Sequence, residues 1–236
     1  MASRREEKEA RRQERLAREA QEREAARKRR LYSIVVGGIL ATAAIAAVAV
    51  AVTTSGGSSG PASAGGVPVG ENSYSGGVDP PPQQTTDLDQ AAGLAKCTLK
   101  NPPIEGRTHI GPDTKVTYNT NPPTNGNHDP QPAGDGVYDK PVTSTDLRHF
   151  VHTLEHGRIE IEYDPSLPKA ERDRLGGLFN EDPYHMVLFP NAKMPNTVSV
   201  AAWGHLLSCK KVNDKTYDAI RAFRDRYRDQ GPEQVP

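Results

Sequence analysis

Apolar residues are distributed unevenly along the chain and divide it into four segments. Apart from Met1, residues 1–30 contain one large apolar side chain, Leu16, among charged residues and alanine, which predicts a solvated helix, with a coiled coil as the alternative. Residues 31–52 are 22 residues without a charge, and as a helix they would span about 33 Å and cross a bilayer. Residues 53–86 contain 8 Gly, 6 Ser and 5 Pro and predict a disordered linker. Short apolar runs return in residues 87–232, which we predict to be the folded domain.

Helical spacing of apolar residues occurs four times in the folded segment. Capping residues mark the first two helices, because Thr86 precedes one, and Ser144 and Gly157 are suited to begin and end the other. The predicted helices cover Asp87–Leu94, Ser144–His156, Lys169–Phe179 and Asp214–Arg228.

Strand patterns lie between these helices. Arg158–Tyr163 alternates apolar and polar residues, which predicts a half-buried strand. The other predicted strands are Met186–Phe189 and Val198–Ala202, with brief candidates at 108–110 and 116–118. Short strands mixed with three to four helices predict a single compact α+β domain.

The balance of charge differs on the two sides of the apolar run. Residues 1–30 carry 12 Lys+Arg and 7 Asp+Glu, whereas the rest of the chain carries 18 and 23. The basic cluster directly before the run consists of Arg27, Lys28, Arg29 and Arg30. This cluster predicts a cytoplasmic N-terminus, contact with anionic lipid, and an extracytoplasmic domain. The interleaved glutamates argue against binding of nucleic acid.

The apolar run has two interpretations, an uncleaved anchor and a cleaved signal peptide. Ala62-Ser63-Ala64 is a candidate cleavage site, but the charged lead of 30 residues and the length of the run favour an anchor. We therefore predict a single-pass protein of the cell membrane, with other membrane or envelope proteins as further partners.

Both cysteines, Cys97 and Cys209, follow the apolar run. On an oxidising side of the membrane they are a natural disulfide pair. Closing a loop of about 100 residues would stabilise the fold by roughly 4–5 kcal/mol in the chain-entropy model. The alternative is two buried free thiols.

The strongest candidate for chemistry is His152-Thr153-Leu154-Glu155-His156. In a helix, these histidines face away from the apolar side formed by Leu147, Phe150, Val151 and Leu154. Two imidazoles one helical turn apart can bind one metal ion, and His128 is the candidate third ligand. Three imidazoles suit Zn or Cu, with Met186 or Met194 as candidate soft ligands for copper. The alternative is a structural hydrogen-bonded cluster.

The spacing His-x-x-Glu-His also matches the inverted zinc-protease motif, in which the glutamate, here Glu155, is the general base. A metal-dependent or acid–base hydrolase is therefore the alternative function. That class needs a further acidic ligand on a downstream helix in a much larger domain, and the acids at a comparable distance here lie in the terminal tail. Catalysis is therefore less favoured than a metal-binding envelope module. A non-catalytic interaction domain in a membrane complex is the third hypothesis.

Several motifs occur together in an order that resembles one known family. They are residues 121–128 (NPPTNGNH), 136–139 (GVYD), 151–157 (VHTLEHG) and 202–204 (AWG). Over residues 95–233 the chain resembles the DUF3105 family, a bacterial domain of unknown function usually found behind one membrane anchor. Asn125 and Asn127 depart from the Ser and Pro common in that family, and His149 and His205 lie outside its motifs. The resemblance implies fold and topology but no activity.

Overall fold

The computed structural model describes residues 67–143, 146–233 and 235. These residues form a six-stranded mixed sheet and four helices, which confirms the predicted α+β class. The predicted charged helix, residues 1–30, and the predicted transmembrane helix, residues 31–52, lie outside the described residues. No helix in the described part of the chain is long and apolar enough to cross a membrane.

The sheet combines parallel and antiparallel pairs of strands. The strands are β1 (Thr98–Lys100), β2 (Gly136–Val137), β3 (Ile159–Tyr163), β4 (Met186–Pro190), β5 (Val198–Ala202) and β6 (His205–Cys209). Their order in the sheet is β1-β6-β5-β3-β4-β2, with β4 parallel to β2 and β3 and the other pairs antiparallel. The helices are α1 (Leu88–Ala95), α2 (Asp146–Glu155), α3 (Lys169–Glu181) and α4 (Asp214–Tyr227). Helix α3 connects the parallel strands β3 and β4, as such strands require.

Both faces of the central strands are covered. Ile161 belongs to the main core, which also contains residues of α1, α3 and α4. On the other face, Phe150 of α2 packs with Val187 and Phe189. Every residue of β3 is consequently buried. The prediction of a half-buried strand was wrong because side chains that alternate in polarity need not alternate between core and solvent.

One predicted helix cap is shifted by one residue. The N-cap of α1 is Asp87, whose side chain accepts a hydrogen bond from the Gln90 amide, rather than Thr86. At α2, Thr143 Oγ1 accepts from the Asp146 amide at 3.2 Å, and the Asp146 carboxylate accepts from the Thr143 amide at 2.8 Å. This reciprocal pair is a capping box, and Ser144 lies outside the described residues.

The segment between β1 and β2 contains no described strand, which corrects the candidates at 108–110 and 116–118. His109 forms only an isolated bridge with His128. Tyr118 instead donates through its hydroxyl to the Asn127 carbonyl at 2.9 Å. Alternation also missed β1 and β2, which have 3 and 2 residues, and it missed β6.

The predicted disulfide between Cys97 and Cys209 is present. In the antiparallel pairing of β1 with β6, Thr98 lies opposite Ser208, so the next pair along the chain is the two cysteines. Their Cα atoms are 4.4 Å apart across a sequence separation of 112. The bridge therefore fastens the edge strand β1 to the sheet.

Residues 67–86, the last part of the predicted linker, contact the domain. The backbone of Glu71 pairs with that of Val137 through two hydrogen bonds of 2.8 Å. Tyr74 donates from its amide to the Asn180 side chain at 2.9 Å, and its hydroxyl is 3.2 Å from the Asp173 carboxylate. The described contacts of the domain thus begin before Asp87.

Candidate functional site

Helix α2 presents its polar face to a neighbouring loop. The amides of Asp129 and Ala133 donate to the carbonyls of Arg148 and His149, at 3.3 and 3.1 Å. Thr153 donates through its hydroxyl to the Ala133 carbonyl at 2.9 Å. This loop covers the histidine side of the helix, so residues from Arg148 to Glu155 are all buried.

The C-terminus of α2 determines where Glu155 and His156 lie. Gly157 adopts a left-handed conformation with φ 80°. Its amide donates to the Leu154 carbonyl at 2.9 Å, and the Arg158 amide donates to the Thr153 carbonyl at 3.3 Å. These two bonds form a Schellman motif, so Glu155 is the last helical residue and His156 belongs to the turn.

Four side chains form a candidate metal site, which we call the inner group: His109, His128, His152 and Glu155. One ligand atom from each lies within 4.8 Å of the others. The three imidazole centroids are 4.7 to 5.1 Å apart. Glu155 Oε2 is 2.9 Å from His128 Nε2 and 3.9 Å from His109 Nε2.

Backbone carbonyls orient two of these imidazoles. His128 Nδ1 is 2.7 Å from the Gly126 carbonyl, and His152 Nδ1 is 2.8 Å from the Asp129 carbonyl. Because a carbonyl oxygen can only accept, each Nδ1 carries the proton, and in the neutral ring Nε2 keeps its lone pair. Such second-shell bonds are typical of histidines that bind metals.

The ring proton of His128 is on Nδ1, so no hydrogen bond joins His128 Nε2 to the nearby Glu155 carboxylate. His128 is fully buried, and its Nε2 has no hydrogen-bond partner although the Glu155 carboxylate is 2.9 Å away. A lone pair that faces a carboxylate oxygen with no hydrogen bond between them is unfavourable in a buried site. A bound cation would turn both atoms into ligands.

Burial favours the neutral form of two of these histidines, His152 and His156. Burial, with a smaller effect from the nearby rings of His156, His128 and His109, lowers the pKa of His152 to about 4, although a hydrogen bond to the Asp129 carbonyl raises it. Burial also lowers the pKa of His156. Neutral imidazole is the form that binds metal ions.

A second set of possible ligands, which we call the outer group, consists of His152, His156 and Glu233. Glu233 Oε2 is 3.5 Å from His156 Nε2 and 3.9 Å from His152 Nε2. The Glu233 amide donates to the Glu155 carbonyl at 3.1 Å, which brings the C-terminal segment against the end of α2.

The three histidines predicted as ligands therefore divide between the two groups. His128 and His152 belong to the inner group, whereas His156 joins His152 in the outer group. Sequence reasoning missed His109 and Glu233 as participants. Their distance from the His-x-x-Glu-His motif along the chain left no spacing signal, although His109 lay within a predicted strand candidate.

Other candidate residues have structural surroundings. His149 Nδ1 is bonded to the Gln131 carbonyl at 2.6 Å, and the His205 ring stacks on Tyr227 with centroids 4.0 Å apart. Met186, a candidate soft ligand, is fully buried in the main core on the face opposite α2. Glu155 is only 5% exposed, which counts against the solvent-reachable general base that the hydrolase hypothesis requires.

One family matches the chain. Its description is "Protein of unknown function (DUF3105)", and the match covers residues 109–236. No curated protein and no solved structure matches the chain.

Proposed function

The chain belongs to the DUF3105 family, whose description assigns no activity, and we propose that its domain binds one Zn²⁺ or Cu²⁺ ion through the inner group. The ligands are Nε2 of His109, His128 and His152 and a carboxylate oxygen of Glu155. The observation that carries the proposal is the fully buried His128 Nε2, which has no hydrogen-bond partner and lies 2.9 Å from Glu155 Oε2.

The types of ligand narrow the choice of metal. Imidazole nitrogen with a carboxylate oxygen suits Zn²⁺ and Cu²⁺, whereas thiolates and thioethers favour Cu⁺. Cys97 and Cys209 are joined to each other, and Met186 is in the main core. These soft side chains are therefore not part of the proposed set.

The position of Glu155 favours a ligand over a catalytic base. Its carboxylate is almost completely buried and contacts His128, whereas the His109 side chain is 47% exposed. His109 is thus the ligand at the solvent side of the group. A closed set of four protein ligands is typical of metal sites that bind rather than catalyse.

We extend the proposal to the cellular location of the domain. The charge-free run of residues 31–52 directly follows the basic cluster of residues 27–30, which supports a membrane anchor with a cytoplasmic N-terminus. The disulfide between Cys97 and Cys209 supports an oxidising compartment for the domain. The protein would then present its metal site in the cell envelope.

Metal analysis of the purified full-length chain tests the binding proposal. After treatment with a chelator and dialysis against Zn²⁺ or Cu²⁺, we expect one ion per chain. His128→Ala removes an imidazole that nothing else in the inner group replaces, so the affinity should fall by roughly 10–100-fold or more. Glu155→Gln should weaken binding in the same direction.

A matched substitution outside both groups controls for the loss of a histidine. His205→Ala removes an imidazole that is bonded to Asn101 and stacked on Tyr227, and it should leave the affinity unchanged. If the unaltered chain takes up neither ion, the inner group is a hydrogen-bonded structural cluster and the proposal is wrong.

A further inference from the structure

His152 belongs to both groups of possible ligands. Its Nδ1 donates to the Asp129 carbonyl at 2.8 Å, so only Nε2 remains to bind a cation. One lone pair cannot bind two ions at once. The inner and outer groups are therefore alternative positions for a single ion and not two independent sites.

The shared histidine lies on a gradient of exposure from the surface to the interior. The side chains of Glu233, His156, His152 and His128 are 48%, 11%, 4% and 0% exposed. The three histidines of this series are close to one another. The centroid of the His152 ring lies 4.5 Å from that of His156 and 4.8 Å from that of His128.

The outer group depends on how the C-terminal segment docks. The Asp229 amide donates to the Gly157 carbonyl at 2.8 Å, and the Glu233 amide donates to the Glu155 carbonyl at 3.1 Å. The same turn that ends α2 thus holds a carboxylate beside His156. Glu233 is ionisable and half exposed, which suits a first contact with a hydrated cation arriving from solvent.

From these observations we propose that His152, His156 and Glu233 form a transient entry site for the ion that the inner group finally binds. The ion first binds at Glu233 and His156, and His152 Nε2 then carries it inward as His128 and Glu155 replace the outer ligands. The inference rests on the proposed metal function of the inner group.

The kinetics of Cu²⁺ binding to the full-length chain test this route. Trp203 is the only tryptophan, and its ring lies 6.0 Å from that of His128, so quenching of its fluorescence by Cu²⁺ reports filling of the inner group. His156→Ala and Glu233→Gln should each slow both loading and release by about tenfold, which corresponds to 1.4 kcal/mol on the barrier. The equilibrium affinity should stay unchanged, because neither residue is an inner ligand.

A second set of variants measures the outer group directly. In His128→Ala, the chain should keep weak binding of one Zn²⁺ ion per chain at the outer group. Adding His156→Ala to that variant should abolish the remaining binding. His205→Ala serves again as the control and should load at the rate of the unaltered chain.

The outcomes separate the two proposals. If the unaltered chain binds no Zn²⁺ or Cu²⁺, the proposed function itself is wrong. If it binds one ion but the His156→Ala and Glu233→Gln variants take up the ion at the unaltered rate, the ion enters past His109. Only the proposed entry site at the outer group is then wrong. Binding of two ions per chain would also overturn it, because His152 could not then be shared.

Discussion

Single backbone hydrogen bonds decide the chemistry of the candidate site. The carbonyls of Gly126 and Asp129 fix which nitrogen of His128 and of His152 carries the proton. Helical spacing predicted His152 and His156 as partners, and His128 was the candidate third ligand from a separate motif; the inner group contains His128 and His152 but not His156. Spacing did not predict His109, since its position depends on an isolated bridge to His128 that leaves no periodic pattern.

One glycine at the end of α2 can be tested by its effect on stability. Gly157 has φ 80°, and an added Cβ would lie 2.9 Å from Asp229 Cα. A left-handed conformation costs a residue with a side chain roughly 1–2 kcal/mol, and the contact with Asp229 adds to that cost. We expect Gly157→Ala to lower the free energy of unfolding by at least this amount, measured by urea denaturation of the full-length chain with Trp203 fluorescence.

An exposed helical glycine provides a control of opposite sign. Gly93 lies within α1, and an added Cβ there would meet nothing within 4 Å. Gly93→Ala should therefore stabilise the chain by roughly 0.5–1 kcal/mol. Equal effects of the two substitutions would contradict the conformation assigned to Gly157.

At the scale of elements, strand β3 alternates in polarity along its sequence although all of its side chains are buried. Its alternation correctly predicted an extended element, but Glu160 and Glu162 are fully buried. Both Glu160 carboxylate oxygens and Glu162 Oε1 have no hydrogen-bond partner, while Glu162 Oε2 accepts from Asn191 at 2.6 Å. Burial was hidden from the sequence because the alternation within β3 does not show that α2, the preceding helix, covers this face of the sheet.

The buried glutamates make stability depend on pH. Burial raises the pKa of Glu162 to about 8, and burial together with the neighbouring Glu162 raises that of Glu160 well above its usual value. The folded chain then holds protons that the unfolded chain releases near pH 4.5, so stability is present at low pH and is lost as pH rises towards 8. Each glutamate contributes a slope of up to about 1.4 kcal/mol per pH unit.

This dependence can be isolated with a double substitution. Between pH 6.5 and 8 the His152 imidazole, whose pKa is lowered to about 4 in the folded chain, contributes little, because in the unfolded chain it also loses its proton as the pH rises above 6.5. Over that range the unaltered chain should lose stability in urea denaturation, whereas Glu160→Gln/Glu162→Gln should lose much less. Glu71→Gln, at an exposed side chain, controls for the removal of a carboxylate. Parallel pH profiles for all three chains would refute the effect.

At the scale of the whole molecule, formation of the disulfide is expected to depend on the proposed membrane anchor, residues 31–52. A bridge between Cys97 and Cys209 forms where the compartment is oxidising, and residues 31–52 are the segment proposed to bring the domain there. Cysteine count and position predicted the bridge correctly, because two cysteines on one side of an apolar run allow a single pairing. The register of β1 with β6 places the two cysteines side by side. This register could not be predicted from the sequence, because β1 is too short to show a pattern.

Removing residues 31–52 tests this dependence in cells. The full-length chain should sediment with membranes, and a maleimide should label its thiols only after reduction. The shortened chain should stay in the reducing cytoplasm with both thiols labelled, and its domain should be less stable by roughly 4–5 kcal/mol, the loop-closure contribution of a bridge across about 100 residues. Oxidation of the purified shortened chain should restore protection and stability, because the truncation itself leaves the domain intact. Labelling of the full-length chain without reductant would show that the bridge does not form in the cell, and the proposed envelope location would then fail with it.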